Sequence, residues 1–132
     1  MKRYLLDTNM VSHALRGHPN VLQRVEEKPM ANLCISAITE GELLFGLAKR
    51  PEATRLRKLV EAFLCRVDVL PWDRTAAASY GETRASLAAQ GKIISPLDLL
   101  IAAHALSFDA VLVSNDQAFR QIDCLKLEDW TQ

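Results

Sequence analysis

Four acidic residues, Asp7, Glu42, Asp98 and Asp116, stand where apolar runs end or amphipathic segments begin. Asp7 follows Tyr4-Leu5-Leu6 and Asp116 comes soon after Val111-Leu112-Val113. Glu42 and Asp98 each lie three residues beyond a hydroxyl residue, Thr39 and Ser95. Each has an ordinary local use. Thr39-x-x-Glu42 matches a capping box. Asp98 at the third position of a helix opposes the macrodipole. Asp7 suits an Asx turn through Asp7-Thr8-Asn9, and Asp116 suits a cap on a short helix from Gln117. If the apolar runs share one sheet, however, all four fall at one edge. Carboxylates held close repel and raise one another's pKa. A divalent cation relieves that conflict. Oxygen donors without a matching Cys or His set favour Mg²⁺ or Mn²⁺ over Zn²⁺. Mg²⁺ keeps waters that phosphate oxygens can replace, so the chemistry indicated is metal-assisted hydrolysis of a phosphodiester.

The elements that must position these acids are short. Strands are expected at Tyr4–Leu6, Leu33–Ile38, Val67–Leu70, Val111–Val113 and, briefly, Leu125–Leu127. Helices are expected between them. The first runs over Val11–Leu15, stopped by Gly17 and Pro19, and the second over Asn20–Lys28. Thr39 caps the next, over Glu40–Lys49. Pro51 opens one reaching Cys65, with Leu56, Leu59, Val60 and Phe63 on one face. The alanine-rich stretch from Asp73 to Gln90 is helical by propensity, with Gly91 at C′. Ser95-Pro96 is an N-cap followed by proline at N1, opening a helix to Ser107. Strands alternating with helices predict an α/β fold, a parallel sheet covered on both faces. Function in such sheets gathers outside the carboxyl ends of the strands.

Composition sets the bounds. The 132 residues fit one domain spanning 1–132, and 49% hydrophobic content supplies a core without disulfides. Cys34, Cys65 and Cys124 form no CxxC pair, excluding a structural zinc site of that kind. Unpaired thiols, no signal-peptide pattern and no membrane-length apolar run predict a soluble, cytoplasmic protein. Sixteen basic and sixteen acidic residues cancel, which gives no overall electrostatic case for nucleic acid. Setting the four acids aside leaves 12 against 16 bases. Arg50, Arg55, Arg57, Lys58, Arg84 and Lys92 then become candidates for a basic rim.

The motifs together resemble those of PIN-domain ribonucleases, and among them the VapC-type toxins of bacterial toxin–antitoxin pairs. Leu5-Leu6-Asp7-Thr8-Asn9 is similar to the family's first acidic motif, and Ile35 to Gly46 to the second, with Glu42 at the acidic position. Ser95 to Ala105 is similar to the third, around Asp98, and Val113-Ser114-Asn115-Asp116-Gln117-Ala118-Phe119 to the fourth. The ending Leu125 to Trp130 resembles the toxin subgroup. The resemblance implies a three-layer α/β/α fold with a short, mostly parallel sheet, commonly a homodimer. It implies Mg²⁺- or Mn²⁺-dependent endoribonuclease activity neutralised by an antitoxin, with operator DNA bound only through the antitoxin complex. Within the toxins, the similarity is to members that cut initiator tRNA in the anticodon stem-loop. Asp7, Glu42, Asp98 and Asp116 would hold the metal. Thr8, Asn9, Ser114 and Asn115 would support them or touch phosphate. Glu40 is an additional acid near the second motif.

Other readings weigh against these. His104 lies six residues beyond Asp98, about 240° round a helix after whole turns are removed, so it reads as structural. His13 and His18 lack metal-ligand spacing. Trp72 and Trp130 read as buried rather than as base-stacking surfaces. A haloacid-dehalogenase-type phosphatase also places Asp after its first strand, but it needs an acid two residues on, where this chain has Asn9. A non-catalytic module on the same fold is the remaining alternative.

Overall fold

Three-residue apolar runs are too short to stand alone and are stable only when buried on both faces. The computed structural model, which describes residues 2–132, shows them so buried. The strands are β1 (Tyr4–Leu6), β2 (Leu33–Ser36), β3 (Asp68–Leu70), β4 (Val111–Val113) and β5 (Leu127–Glu128). They form one parallel sheet in the order β3-β2-β1-β4-β5. The helices are α1 (Thr8–Leu15), α2 (Pro19–Glu27), α3 (Ala37–Ala48), α4 (Thr54–Arg66), α5 (Arg74–Ala89) and α6 (Pro96–Ser107). Short 3-10 turns cover Met30–Asn32 and Gln117–Gln121.

Side chains alternate across a strand, so one strand feeds two cores. Tyr4, Leu6, Leu33, Ile35, Val111 and Val113 pack with residues of α1–α4. Leu5, Cys34 and Leu112 pack with α5, α6 and the segment after β4. This is the three-layer α/β/α arrangement. No helix of the described residues is long and apolar enough to cross a membrane. Trp130 closes the first core. It is fully buried, its ring centroid is 5.5 Å from that of Tyr4, and its indole N–H donates to Glu128 Oε1 at 2.9 Å. The Lys28 ammonium lies 4.9 Å from the Tyr4 centroid and 5.9 Å from that of Trp130.

Several sequence expectations shift by a few residues, each for a local reason. α1 begins at Thr8 rather than Val11, because Asp7 caps it directly by accepting from Met10 N–H at 2.8 Å. β2 ends at Ser36 rather than Ile38. Its partner β3 runs out at Leu70, opposite Ser36, and Pro71 has no N–H to extend the ladder. Ser36 therefore caps α3, accepting from Ile38 N–H at 3.1 Å, and Thr39 is an interior residue rather than the cap. The Thr39–Glu42 capping box does not form. Residues 51–53 precede α4, which starts at Thr54. Leu59 is exposed, whereas Leu56, Val60 and Phe63 reach the core. The last strand starts two residues later than expected, at Leu127, and ends at Glu128. The Ser95 cap, Pro96 at N1 and Gly91 in a left-handed turn (φ +68°) stand as expected.

Trp130→Ala opens a cavity that Tyr4 and Lys28 cannot fill. Its expected cost is about 3–5 kcal/mol of unfolding free energy, read by urea denaturation. A loss within error of zero would show that the C-terminal segment does not secure the sheet.

Candidate functional site

The strand order places a topological switch beside β1. The chain steps from β1 to β2 and β3 on one side, then crosses to β4 and β5 on the other. In open parallel sheets such a point leaves a crevice at the carboxyl ends of the strands. Asp7 and Ser114 are the first residues beyond β1 and β4 at this crevice. Asp7 N–H donates to Val113 O at 3.1 Å, locking the two strand ends together.

Asp7 is 3% exposed. Its carboxylate accepts from Met10 N–H and from the Ser114 hydroxyl. Those bonds favour the charged form but do not prevail. Burial, reinforced by the like charges of Asp98 and Asp116, pushes the carboxyl up from 3.8 to about 6. Asp98 arrives on the first turn of α6, whose cap Ser95 accepts from Asp98 N–H at 3.4 Å. Asp116 arrives after β4. Its side chain accepts from Ala118 N–H at 2.9 Å to start the 3-10 turn, and its N–H donates to Ser114 Oγ at 3.0 Å. Ser114 thus links Asp7 to Asp116.

Glu42 sits differently from the expectation. With Ser36 as the cap, it lies in the second turn of α3 rather than at the helix start. It reaches the site through Thr8, whose hydroxyl donates to Glu42 Oε1 and lies 3.4 Å from Thr39 Oγ1. Thr8 follows Asp7 directly, so this bond ties α3 to the end of β1. Glu40, in the first turn of α3, has no such link. Asn9 and Asn115 are exposed at the edge.

The sequence reading passed over Ser36 as a positioning group. His104 is 3% exposed, its Nδ1 lies 2.8 Å from Ser36 Oγ, and burial lowers its pKa. The pair ties α6, which carries Asp98, to the start of α3, which carries Glu42. A serine at a strand end with a histidine in an apolar helix was the available signal. Trp72 is half-buried, its indole N–H donating to Leu100 O at 3.0 Å, and Trp130 is in the core. His18 caps α2 and stacks edge-on with His13.

The side chains here offer only oxygen: Asp7 with the like charges of Asp98 and Asp116 near it, and Glu42 held by a hydroxyl. Among the described residues, no three His, Cys, Asp or Glu side chains form a ready ligand cage. Mg²⁺ needs none, because it takes one or two carboxylates and keeps several waters. A carboxyl pushed upward by burial, with two like charges near it, is the environment a divalent cation would relieve, so the residues fit such an ion. Beside Glu42 and Thr8 runs a groove of about 370 Å³, bordered by Arg16, Lys49 and Arg50.

A doubly covered parallel sheet with carboxylates gathered at its switch point defines a class of acidic-site α/β proteins. The PIN domain model matches residues 4–125, and the chain belongs to the PIN-domain family, in its VapC branch. It is 34% identical to the tRNA(fMet)-specific endonuclease VapC of Shigella flexneri, over 99% of this chain and 100% of that one. It is 36% identical to Ribonuclease VapC2 of Haemophilus influenzae, over 98% and 99%. Its fold matches DNA-bound VapBC from Salmonella typhimurium with a TM-score of 0.91 at 36% identity, over 98% of this chain and 99% of that one.

The raised Asp7 carboxyl has a thermodynamic consequence. Between pH 3.8 and about 6 the folded chain keeps a proton that the unfolded chain has released. Stability therefore falls as pH rises through that window. The full effect approaches about 3 kcal/mol. Without divalent cations, Asp7→Asn should melt above the wild type at pH 7.5, and the two should converge near pH 4. A variant less stable than wild type at pH 7.5 would contradict this account of the site.

Proposed function

We propose that the protein is a divalent-cation-dependent endoribonuclease toxin acting on tRNA, with the anticodon stem-loop of initiator tRNA the favoured target. The observation that carries the reading is the burial of Asp7 beside Asp98 and Asp116 at the switch point. Asp7, Asp98, Asp116 and Glu42 would hold Mg²⁺ or Mn²⁺, directly or through water. The ion, when bound, supplies activation of water and neutralisation of charge developing on phosphate. The chain's own residues do the rest. Met10 N–H and the Ser114 hydroxyl fix the Asp7 carboxylate, and the Thr8 hydroxyl holds Glu42 Oε1. Asn9 and Asn115 are exposed at the same edge and would donate to phosphate oxygens. In-line attack by water at phosphorus with departure of the 3′-oxygen leaves a 5′-phosphate and a 3′-hydroxyl and needs no 2′-hydroxyl, so RNA is selected by loop shape and contacts.

Arg16, Lys49 and Arg50 beside Glu42 support binding of a polyanion despite zero net charge. Of the anticipated rim, Arg84 bonds to the Tyr80 hydroxyl, Lys92 to Gln121 O and Arg57 to Leu47 O, which leaves Arg50, Arg55 and Lys58 as the freer cations. The names of the Shigella and Salmonella relatives support the tRNA target. The VapBC complexes among the structural neighbours, one from Rickettsia felis bound to a promoter fragment, support a cognate antitoxin through which operator DNA is reached. A homodimer and a cytoplasmic location complete the reading.

Purified protein incubated with total RNA should generate new 5′ ends with Mg²⁺ and none with EDTA. Sequencing should place them in the initiator tRNA anticodon loop. Asp98→Asn should lower the rate by about 100-fold or more. Equal cleavage by wild type and Asp98→Asn, or in EDTA, would overturn the reading. Cuts spread across unrelated RNAs would overturn the substrate.

A further inference from the structure

His104 is a buried titratable group for which the hydrolytic chemistry has no use. It is 3% exposed and its partner Ser36 is fully buried, so no substrate reaches a nucleophile and base there. The bonding of the pair is nonetheless determined. The ring donates to Pro71 O, which leaves Nδ1, 2.8 Å from Ser36 Oγ, as an acceptor. The Ser36 hydroxyl must then donate to the ring, while its oxygen accepts from Ile38 N–H at 3.1 Å to cap α3. One turn earlier on α6, Leu100 O accepts from the Trp72 indole at 3.0 Å. Pro71 and Trp72 thus grip α6 at two successive turns, and His104 passes that grip to the cap of α3. The spacing of the acids from this contact is the same on both helices. His104 lies six residues beyond Asp98, and Ser36 lies six residues before Glu42. At the rise of an α-helix each acid stands about 9 Å along its helix from the contact. A tilt of about 6° at that point would carry an acid by about 1 Å. Metal–ligand distances tolerate only about 0.2 Å.

We propose that Ser36 and His104 are positioning residues for the acidic site: their bond fixes the angle between α3 and α6, and so the spacing of Glu42 from Asp98 on which divalent-cation affinity depends. This rests on the reading that those acids hold a divalent cation, and adds the device that sets their separation. Glu42 has a second tether in Thr8. Asp98 is carried by α6, so where α6 lies decides where its carboxylate falls. A role in packing alone is the competing account, and the edge-on contact of His104 with Phe108, centroids 5.7 Å apart, would serve that role without the bond. The two accounts differ in what loosens the cation: loss of the bond itself, or loss of stability from any cause.

The test is Mn²⁺ binding by the full chain, titrated by electron paramagnetic resonance without RNA. His104→Gln keeps an amide near Nε2 for Pro71 O but loses the acceptor for Ser36, and should weaken Mn²⁺ about tenfold or more. His104→Asn puts an amide oxygen near Nδ1, keeps that acceptor, and should stay within about threefold of wild type. Ser36→Ala should match His104→Gln, and the double variant should be no weaker than either single one, because all three break one bond. Val21→Ala, which opens a cavity at a fully buried position on α2, should lose stability and keep wild-type affinity. In RNA cleavage, His104→Gln should need about tenfold more Mg²⁺ for half-maximal rate, with kcat at saturating Mg²⁺ within about threefold of wild type. Melting curves in EDTA set an assay temperature at which each variant is folded, and Ser36→Ala carries the test if His104→Gln does not fold. Wild-type Mn²⁺ affinity in folded Ser36→Ala and His104→Gln overturns the proposal. So does a weakening that follows stability across the whole set, Val21→Ala included, which assigns the pair to packing. Absence of Mn²⁺ binding by wild type is a different failure: it removes the divalent-cation reading, and this proposal with it.

Discussion

The buried carboxylate of Asp7 is the constraint on which the rest of the site depends. Removed from water and facing Asp98 and Asp116, it is held charged only with difficulty, and two hydrogen bonds do not offset the burial. A fold would gain stability by replacing it with a neutral residue. Its place at the junction of two strands means that any cation relieving it sits at the crevice of the sheet. The sheet topology and the acids thus meet at one point of the fold. Stability is given up locally where charge is needed for work.

The surrounding structure holds that arrangement by short links rather than by a dense ion network. Asp7 N–H joins β1 to the end of β4, and Ser114 joins Asp7 to Asp116. Thr8 joins β1 to Glu42 on α3, and His104 joins α6 to the cap of α3. Each link crosses between elements that are far apart in sequence. The two apolar cores on either face of the sheet supply the rigidity against which these bonds act. The ion pairs, by contrast, lie toward the surface and away from the carboxylates, such as Arg3–Asp68 at 2.7 Å and Lys126–Asp109 at 3.0 Å. Exposed pairs of that kind contribute little to stability.

Much of this was legible in the residues. The strand runs, the Ser95-Pro96 helix start, Gly91 as a turn and the gathering of Asp7, Asp98 and Asp116 at one edge follow from local chemistry and alternation. The VapC resemblance carried the family and ordered the four motifs. What was not legible depends on pairing partners. Ser36 and Thr39 are both good caps, and the choice between them is made by where β3 stops, at Leu70 before Pro71. That choice moved Glu42 away from the helix start and gave it a threonine partner in place of a capping box. Leu59 satisfies the helical period but is exposed, because Leu56, Val60 and Phe63 are the residues of α4 that reach the core. The Ser36–His104 contact spans 68 residues, and spacing alone does not reveal such a bond.

The zero net charge conceals a division of labour. Acids concentrate at the switch point while Arg16, Lys49 and Arg50 border the groove beside it, so the local field differs from the total charge. All of this turns on the state of one carboxyl. The most direct measurement is the carboxyl carbon resonance of Asp7, followed by NMR against pH with and without Mg²⁺. The account predicts a midpoint near 6 in the absence of divalent cation, and a clear downward shift when Mg²⁺ is added. A midpoint near 4 that Mg²⁺ does not move would contradict it.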